Sequence, residues 1–143
     1  MNYQNFKIIN KKHLSTSFIH ELNHLIFTSF TSSRIEDYET IIYLKYNDII
    51  IAFVGLYYIQ NCLSINQLCI HPNYRNQGIA TNLINFISDT FTDTILILYI
   101  DKYKTKTSYL YNFYLKNGFE EMKEENHNLP YDKKKEFLLI KII

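Results

Sequence analysis

The chain has 143 residues, a formal net charge of +1 and 47% hydrophobic side chains. That is enough for one domain with a single core, and too apolar for a disordered segment. The near-neutral balance speaks against a nucleic-acid partner. The 13 Tyr and 10 Phe, with no Trp, read as core and strand residues rather than a base-stacking platform.

Phe6 to Ile9 reads as a short first strand. Ser15 or Thr16 can cap a helix, and Phe18, Leu22, Leu25, Ile26 and Ser29 follow at helical spacing. Ser32-Ser33 breaks that pattern, and Ile35 to Glu39 can form another helical turn. Thr40 to Tyr46 is rich in β-branched and aromatic residues, a strand that Asn47-Asp48 ends in a tight turn. Ile49 to Gln60 returns as a second strand, with Gly55 as a bulge or close-approach point, and Asn61 turns the chain into the strand Cys62 to His71. A helix is expected over roughly Thr81 to Thr90, then a continuous apolar run, Ile95 to Ile100. Such a run is the mark of a strand buried on both faces, and its position after a strand–helix unit predicts a right-handed parallel crossover. Thr107 or Ser108 can cap the next helix, Tyr109 to Lys116, which Asn117-Gly118 ends with Gly118 in the left-handed cap position. Phe119 to Glu125 and Glu136 to Ile143 read as closing strands around a polar loop containing Pro130.

Cys62 and Cys69, seven residues apart in one strand, would lie roughly 23 Å from each other at about 3.3 Å per residue, beyond disulfide reach. A reducing cytoplasm follows. No Cys or His cluster has metal-ligand spacing, and residues 1–6 carry no charged-then-apolar signal pattern. Ile41 to Gln60 is apolar, but Lys45, Asn47 and Asp48 interrupt it. A central Lys or Asp costs about 2.5–3.5 kcal/mol in a membrane helix, so a hairpin accounts for the stretch better and no membrane is implied.

The chain is organised around Leu68-Cys69-Ile70-His71-Pro72-Asn73-Tyr74-Arg75-Asn76-Gln77-Gly78-Ile79-Ala80-Thr81. Pro72 closes the strand, since it cannot donate to a ladder. Ile79, Leu83, Ile84 and Ile87 then fall on one helical face. Arg75 to Ala80 therefore stands where a strand hands over to a helix N-terminus. Its unpaired N–H groups and dipole suit a phosphate or pyrophosphate. Gly78 permits close backbone approach, Ala80 keeps the first turn slim and Arg75 adds a fixed positive charge. A dinucleotide fingerprint needs three glycines where this loop has one. A Walker loop needs Gly-Lys-Ser/Thr where Gly78-Ile79-Ala80 stands.

Arg75-x-x-Gly78-x-Ala80 after Leu68–Arg75 resembles the cofactor loop of the GNAT family of acyl-CoA-dependent N-acyltransferases. Phe113-Tyr114-Leu115-Lys116-Asn117-Gly118-Phe119 is similar to that family's aromatic-Tyr-x-Lys-x-Gly-Phe segment. The two motifs, in this order, cover about half the chain. The resemblance implies an α/β (mixed α+β) fold, a single domain over residues 1–143. Its central sheet would be mixed and mostly antiparallel, with a splayed parallel strand pair and flanking helices. It also implies acetyl-CoA as co-substrate, its pyrophosphate held by Arg75, Asn76, Gln77, Gly78, Ile79, Ala80 and Thr81. The backbone of Leu68, Cys69 and Ile70 would hold the pantetheine arm. One N–H there could polarise the thioester carbonyl, and such donors are worth about 3–4 kcal/mol in related oxyanion sites.

Tyr114 matches the family tyrosine that protonates the departing thiolate; a phenol near pKa 10 keeps its proton at pH 7. Tyr111, one helical turn earlier, is the alternative. An alkylamine near pKa 10 is only about 0.1% neutral at pH 7, so its proton needs an acceptor. Many family members place a Glu on the strand before the loop, whereas Ser64-Ile65-Asn66-Gln67 has no acid. Glu36, Asp37 and His71 remain as candidates, and Glu36, Asp37 and Glu39 could favour a cationic amine or simply form a solvated face. Lys116 and Arg75 could meet CoA phosphates, and Lys102, Lys104 and Lys106 could reach the 3′-phosphate or form a solvated loop. Thr107 or Ser108 stands where the family often has an Asn that bonds to CoA.

The expected activity is acetyl transfer from acetyl-CoA to a primary amine of a small molecule or peptide, by direct attack. Neither cysteine has the His and acid arrangement of a covalent nucleophile. The rival is a non-catalytic acyl-CoA-binding sensor or regulatory module. A toxin acetylating aminoacyl-tRNA would need a basic surface that this composition lacks. A monomer or a homodimer is compatible with the sequence.

Overall fold

A computed structural model of the chain describes residues 5–27, 38–102, 107–122, 129 and 131–143. Its elements in chain order are β1 (Lys7–Asn10), α1 (Thr16–Phe27), β2 (Thr40–Tyr46), β3 (Ile49–Ile59), β4 (Cys62–Ile70) and α2 (Ile79–Thr90). They continue with β5 (Ile95–Asp101), α3 (Thr107–Lys116), β6 (Glu120–Glu121) and β7 (Glu136–Ile142). The expected break at Ser32-Ser33, the turn at residues 35–37, Ser29, residues 123–125 and Pro130 lie outside the described residues.

The sheet order is β1-β2-β3-β4-β5-β7-β6. β4 and β5 run parallel, and β1–β2, β2–β3, β5–β7 and β6–β7 run antiparallel. This is the mixed, mostly antiparallel sheet expected from the sequence. The chain forms two compact units, Met1–Tyr57 with Ile65–Thr90, and Tyr58–Ser64 with Phe91–Ile143.

In the first unit, Ser15 Oγ accepts from the Phe18 N–H at 3.1 Å and so starts α1. The apolar face of that helix puts Phe18, Leu22, Leu25 and Ile26 into one cluster with Tyr38, Ile41, Ile50, Phe53 and Cys69. The β2–β3 turn has φ of +51° at Asn47 and +62° at Asp48, and the β3–β4 turn +49° at Gln60 and +68° at Asn61. Positive φ at both central positions gives the turn whose twist matches paired strands, and Asn and Asp tolerate it. The ladder irregularity falls at Leu44/Lys45, so Gly55 is not the bulge. It is a close-approach point instead.

A Cβ on Gly55 would lie 2.5 Å from the Tyr38 ring. Tyr38 is 1% exposed, and its hydroxyl donates to Oε1 of the buried Gln67 on β4. The ring can retreat only by breaking that bond or by displacing core neighbours. Gly55→Ala is therefore expected to lower stability by about 1–3 kcal/mol, the usual cost of overpacking. Urea unfolding monitored by circular dichroism measures this, and an unchanged midpoint would disprove the close approach.

In the second unit β5 pairs with β7 from Ile95↔Ile142 to Asp101↔Glu136. Leu96, Ile97 and Leu98 are all buried, so both faces of β5 are covered, as its unbroken apolar run requires. β6 has only Glu120 and Glu121, paired with Ile140 and Leu139. No described helix is long and apolar enough to cross a membrane.

Candidate active site

β4 ends at Ile70, and Pro72–Tyr74 forms a single 3-10 turn. The N–H groups of Asn73 and Tyr74 are both taken by His71, the first by its Nδ1 at 3.1 Å and the second by its carbonyl at 2.9 Å. The chain then bends through Asn76 (φ +62°) and Gly78 (φ +81°) into α2. The first helical bond runs from the Asn82 N–H to the Gly78 carbonyl at 3.0 Å. The N–H groups of Ile79, Ala80 and Thr81 precede it and have no helical acceptor.

Burial separates the two sides of this turn. Ile79, Leu83, Ile84 and Ile87 are buried at 2% exposure or less and anchor α2. Arg75, Asn76, Gln77 and Gly78 are exposed. Among the described residues no atom lies within 4 Å of a Cβ built on Gly78, which leaves the backbone open to a ligand there. Arg75 Nε donates to the Ile70 carbonyl at 3.0 Å, which folds the guanidinium stem back over the strand end. Exposed helix-start N–H groups beside an arginine are features that suit an anion.

Leu68, Cys69 and Ile70 lead into that turn. Cys69 is buried, with its thiol 3.8 Å from the Leu25 carbonyl of α1; Leu68 and Ile70 are half-buried. The ladder of β4 to β5 covers Leu63↔Leu96 and Ser64↔Ile97. From Ile65 onward β4 has no register partner in β5 among the described residues.

In the second unit, α3 carries Tyr111, Tyr114 and Lys116. It ends in a left-handed cap: the Gly118 N–H donates to the Leu115 carbonyl at 3.2 Å and the Phe119 N–H to the Tyr114 carbonyl at 3.1 Å. Gly118 has φ +91°. The rings of Tyr114 and Phe119 meet edge to face at 5.4 Å, the apolar contact that accompanies this cap. The cap thus fixes Tyr114 as well as ending the helix.

Tyr114 is 8% exposed, and burial pushes its hydroxyl up to about 12. Tyr111 donates its hydroxyl to Glu121 Oε2 at 2.9 Å. That bond, with burial and the Glu121 charge adding to it, raises the Tyr111 hydroxyl too. Its proton is therefore committed. Lys116 is exposed in the last turn of α3. Lys102 donates to the Lys133 carbonyl at 2.6 Å and lies 4.7 Å from the Phe137 ring centroid, so it is engaged locally. Glu36, Asp37, Lys104 and Lys106 lie outside the described residues, as do the side chains of Thr107 and Ser108.

The Tyr114 shift makes a stability prediction. Below pH 10 both folded and unfolded states keep the phenol proton, and the contribution is complete. Between pH 10 and about 12 the unfolded chain ionises while the folded chain does not, so stability falls with rising pH. About two units correspond to roughly 2–3 kcal/mol. Tyr114→Phe is expected to lose correspondingly less stability between pH 9.5 and 12 in denaturant melts. Parallel losses in the two proteins would contradict the burial of this hydroxyl.

Sequence reading did not anticipate the Tyr38–Gln67 pair or the use of His71 as a cap. The first joins residues 29 positions apart, which no local pattern reveals. The second had a local signal, a side-chain acceptor two residues before the N–H that it satisfies.

The chain thus runs from strand through exposed turn and helix to a parallel strand and a tyrosine-bearing helix. A family model described as acetyltransferase (GNAT) domain matches residues 37–121, and the chain belongs to that family. A search of curated proteins finds no match. Among solved structures the chain is similar to Escherichia coli ElaA, at 16% identity and TM-score 0.69, over 96% of this chain and 99% of that one. It is similar to Arabidopsis thaliana Naa50 in complex with the bisubstrate analogue CoA-Ac-MVNAL, at 17% identity and TM-score 0.66, covering 96% and 99%. PaiA N-acetyltransferase from Thermoplasma acidophilum in complex with coenzyme A matches at 15% identity and TM-score 0.64, covering 97% and 99%. At these identities the likeness is one of fold.

Proposed function

We propose that the chain is an N-acetyltransferase that moves the acetyl group of acetyl-CoA to a primary amine of a small molecule or peptide. The observation that carries this reading is the exposed, glycine-opened turn at Arg75–Gly78, seated on the N-terminus of α2. Membership of the GNAT family and the CoA complexes among similar folds support it.

In this reading Arg75 and the backbone N–H groups of residues 76–81 hold the pyrophosphate. The backbone of Leu68–Ile70 holds the pantetheine arm and polarises the thioester carbonyl. The amine attacks the carbonyl carbon, the C–S bond breaks, Tyr114 gives its proton to the leaving sulfur, and the proton shed by the acylated nitrogen passes to water, from which the phenol regains one. Lys116 lies in the cofactor motif as an outer phosphate contact. Cys62 and Cys69 are thiols rather than disulfide partners, in keeping with a cytoplasmic enzyme without a covalent intermediate.

His71 is a poor candidate for the base. A neutral imidazole has one acceptor nitrogen, and the Asn73 N–H occupies it. The described buried polar side chains of β4, Ser64 and Gln67, are neutral. These two facts favour a second reading, a non-catalytic acyl-CoA-binding module. Thiol release from acetyl-CoA across a panel of amines and peptides separates the two. Acceptor-dependent release supports the enzyme; CoA binding with no turnover on any acceptor supports the module.

A further inference from the structure

We infer that His71, braced by Tyr74 and Tyr46, is a positioning residue for the anion turn and acts on cofactor binding rather than on proton transfer. The inference rests on the reading of Arg75–Thr81 as the CoA pyrophosphate site. His71 is held on three sides. Its N–H donates to the Ile51 carbonyl of β3 at 2.7 Å. Its Nδ1 and carbonyl take the N–H groups of Asn73 and Tyr74. Its ring meets Tyr74 edge to face at 5.6 Å.

Tyr74 in turn meets Tyr46 at 5.9 Å, also edge to face. The chain bends into the anion turn at the next residue, Arg75, whose Nε is fixed to the carbonyl of Ile70, the residue before His71. The direction in which residues 75–78 leave the strand is thus set by His71 and by the tip of the β2–β3 hairpin. Those residues are themselves exposed, with open space at Gly78. Without the cap, the Asn73 N–H loses its acceptor, and residues 72–75 gain conformations that must be given up when an anion binds.

The side-chain chemistry makes this testable. Asparagine at 71 can present an oxygen to the N–H two residues on, as in an Asx-turn, but it cannot serve as a base. The experiment is calorimetric titration with CoA of wild type, His71→Ala, His71→Asn, Tyr46→Ala and Tyr46→Phe, with thermal melts to establish folding. His71→Ala is expected to weaken CoA binding by about five- to tenfold, the scale of a lost cap, and His71→Asn to restore it to within about twofold. Tyr46→Ala is expected to weaken it about two- to threefold and Tyr46→Phe to leave it unchanged, since the ring contact is kept.

Wild-type affinity in His71→Ala, or equal losses in His71→Ala and His71→Asn, overturns the inference. Should His71→Ala fail to fold, the Tyr46 pair decides: equal affinity in Tyr46→Ala and Tyr46→Phe overturns it. A wild-type chain that does not bind CoA removes the pyrophosphate reading itself, and this inference with it.

Discussion

Gly78→Glu is expected to abolish measurable CoA binding while the chain still folds. Gly78 is exposed and a Cβ there meets no atom of the described residues, so the new side chain collides with none of them. It projects instead toward the space that the diphosphate would take. Two like charges about 4 Å apart repel by about 4 kcal/mol at an effective dielectric near 20, roughly a thousandfold in affinity. A second, smaller effect comes from φ +81°, which costs a non-glycine residue roughly 1–2 kcal/mol. Gly78→Ala separates the two, because it carries the strain without the charge. Calorimetry should rank wild type first, alanine next and glutamate last, with both variants folded in thermal melts. Unchanged affinity in the glutamate variant would move the phosphates elsewhere.

Tyr114→Phe is expected to lower turnover about 10²- to 10³-fold with little change in CoA affinity, the loss typical of a general acid. The ring contacts of Tyr114 with Phe113 at 5.1 Å and Phe119 at 5.4 Å survive in phenylalanine, so the variant should fold. Burial alone raises the hydroxyl to about 12, which keeps the proton in place at any working pH. A phenol held that high is reluctant to give it up in the free protein. In the proposed reaction the leaving thiolate would be desolvated too, and its proton affinity would rise with that of the phenol. Rates measured with an acceptor from the amine panel decide the matter, and a wild-type rate would remove Tyr114 from the chemistry. Tyr111 is a weak substitute, since its hydroxyl already donates to Glu121.

Much of the fold was legible because it rests on local rules. Asn47-Asp48 and Asn61 marked turns that need positive φ, and both hairpins are there. Ile95 to Ile100 announced a strand covered on both faces. Ile79, Leu83, Ile84 and Ile87 announced the buried face of α2. The turn at Arg75–Ala80 was legible because it combines a strand stop, an arginine, a glycine at positive φ and a helix start within a few residues. The closing strand expected from Phe119 covers Glu120–Glu121 among the described residues, and Phe119 is drawn instead into the helix cap beneath Tyr114.

Contacts distant in the chain were not legible. Nothing near Gly55 indicates that Tyr38 will lie on it, and nothing near Tyr46 indicates that it will meet Tyr74. His71 was read for its acid–base chemistry because that is a property of the side chain alone. Its capping bond to Asn73 depends on the backbone bend that Pro72 imposes.

In the proposed function residues 75–81 bind the pyrophosphate of CoA. Amide chemical shifts of ¹⁵N-labelled protein during titration with CoA test it most directly. Saturable shifts are expected, largest at Gly78, Ile79, Ala80 and Thr81, and they should be lost in Gly78→Glu. Saturation by CoA with those four amides unmoved would contradict it.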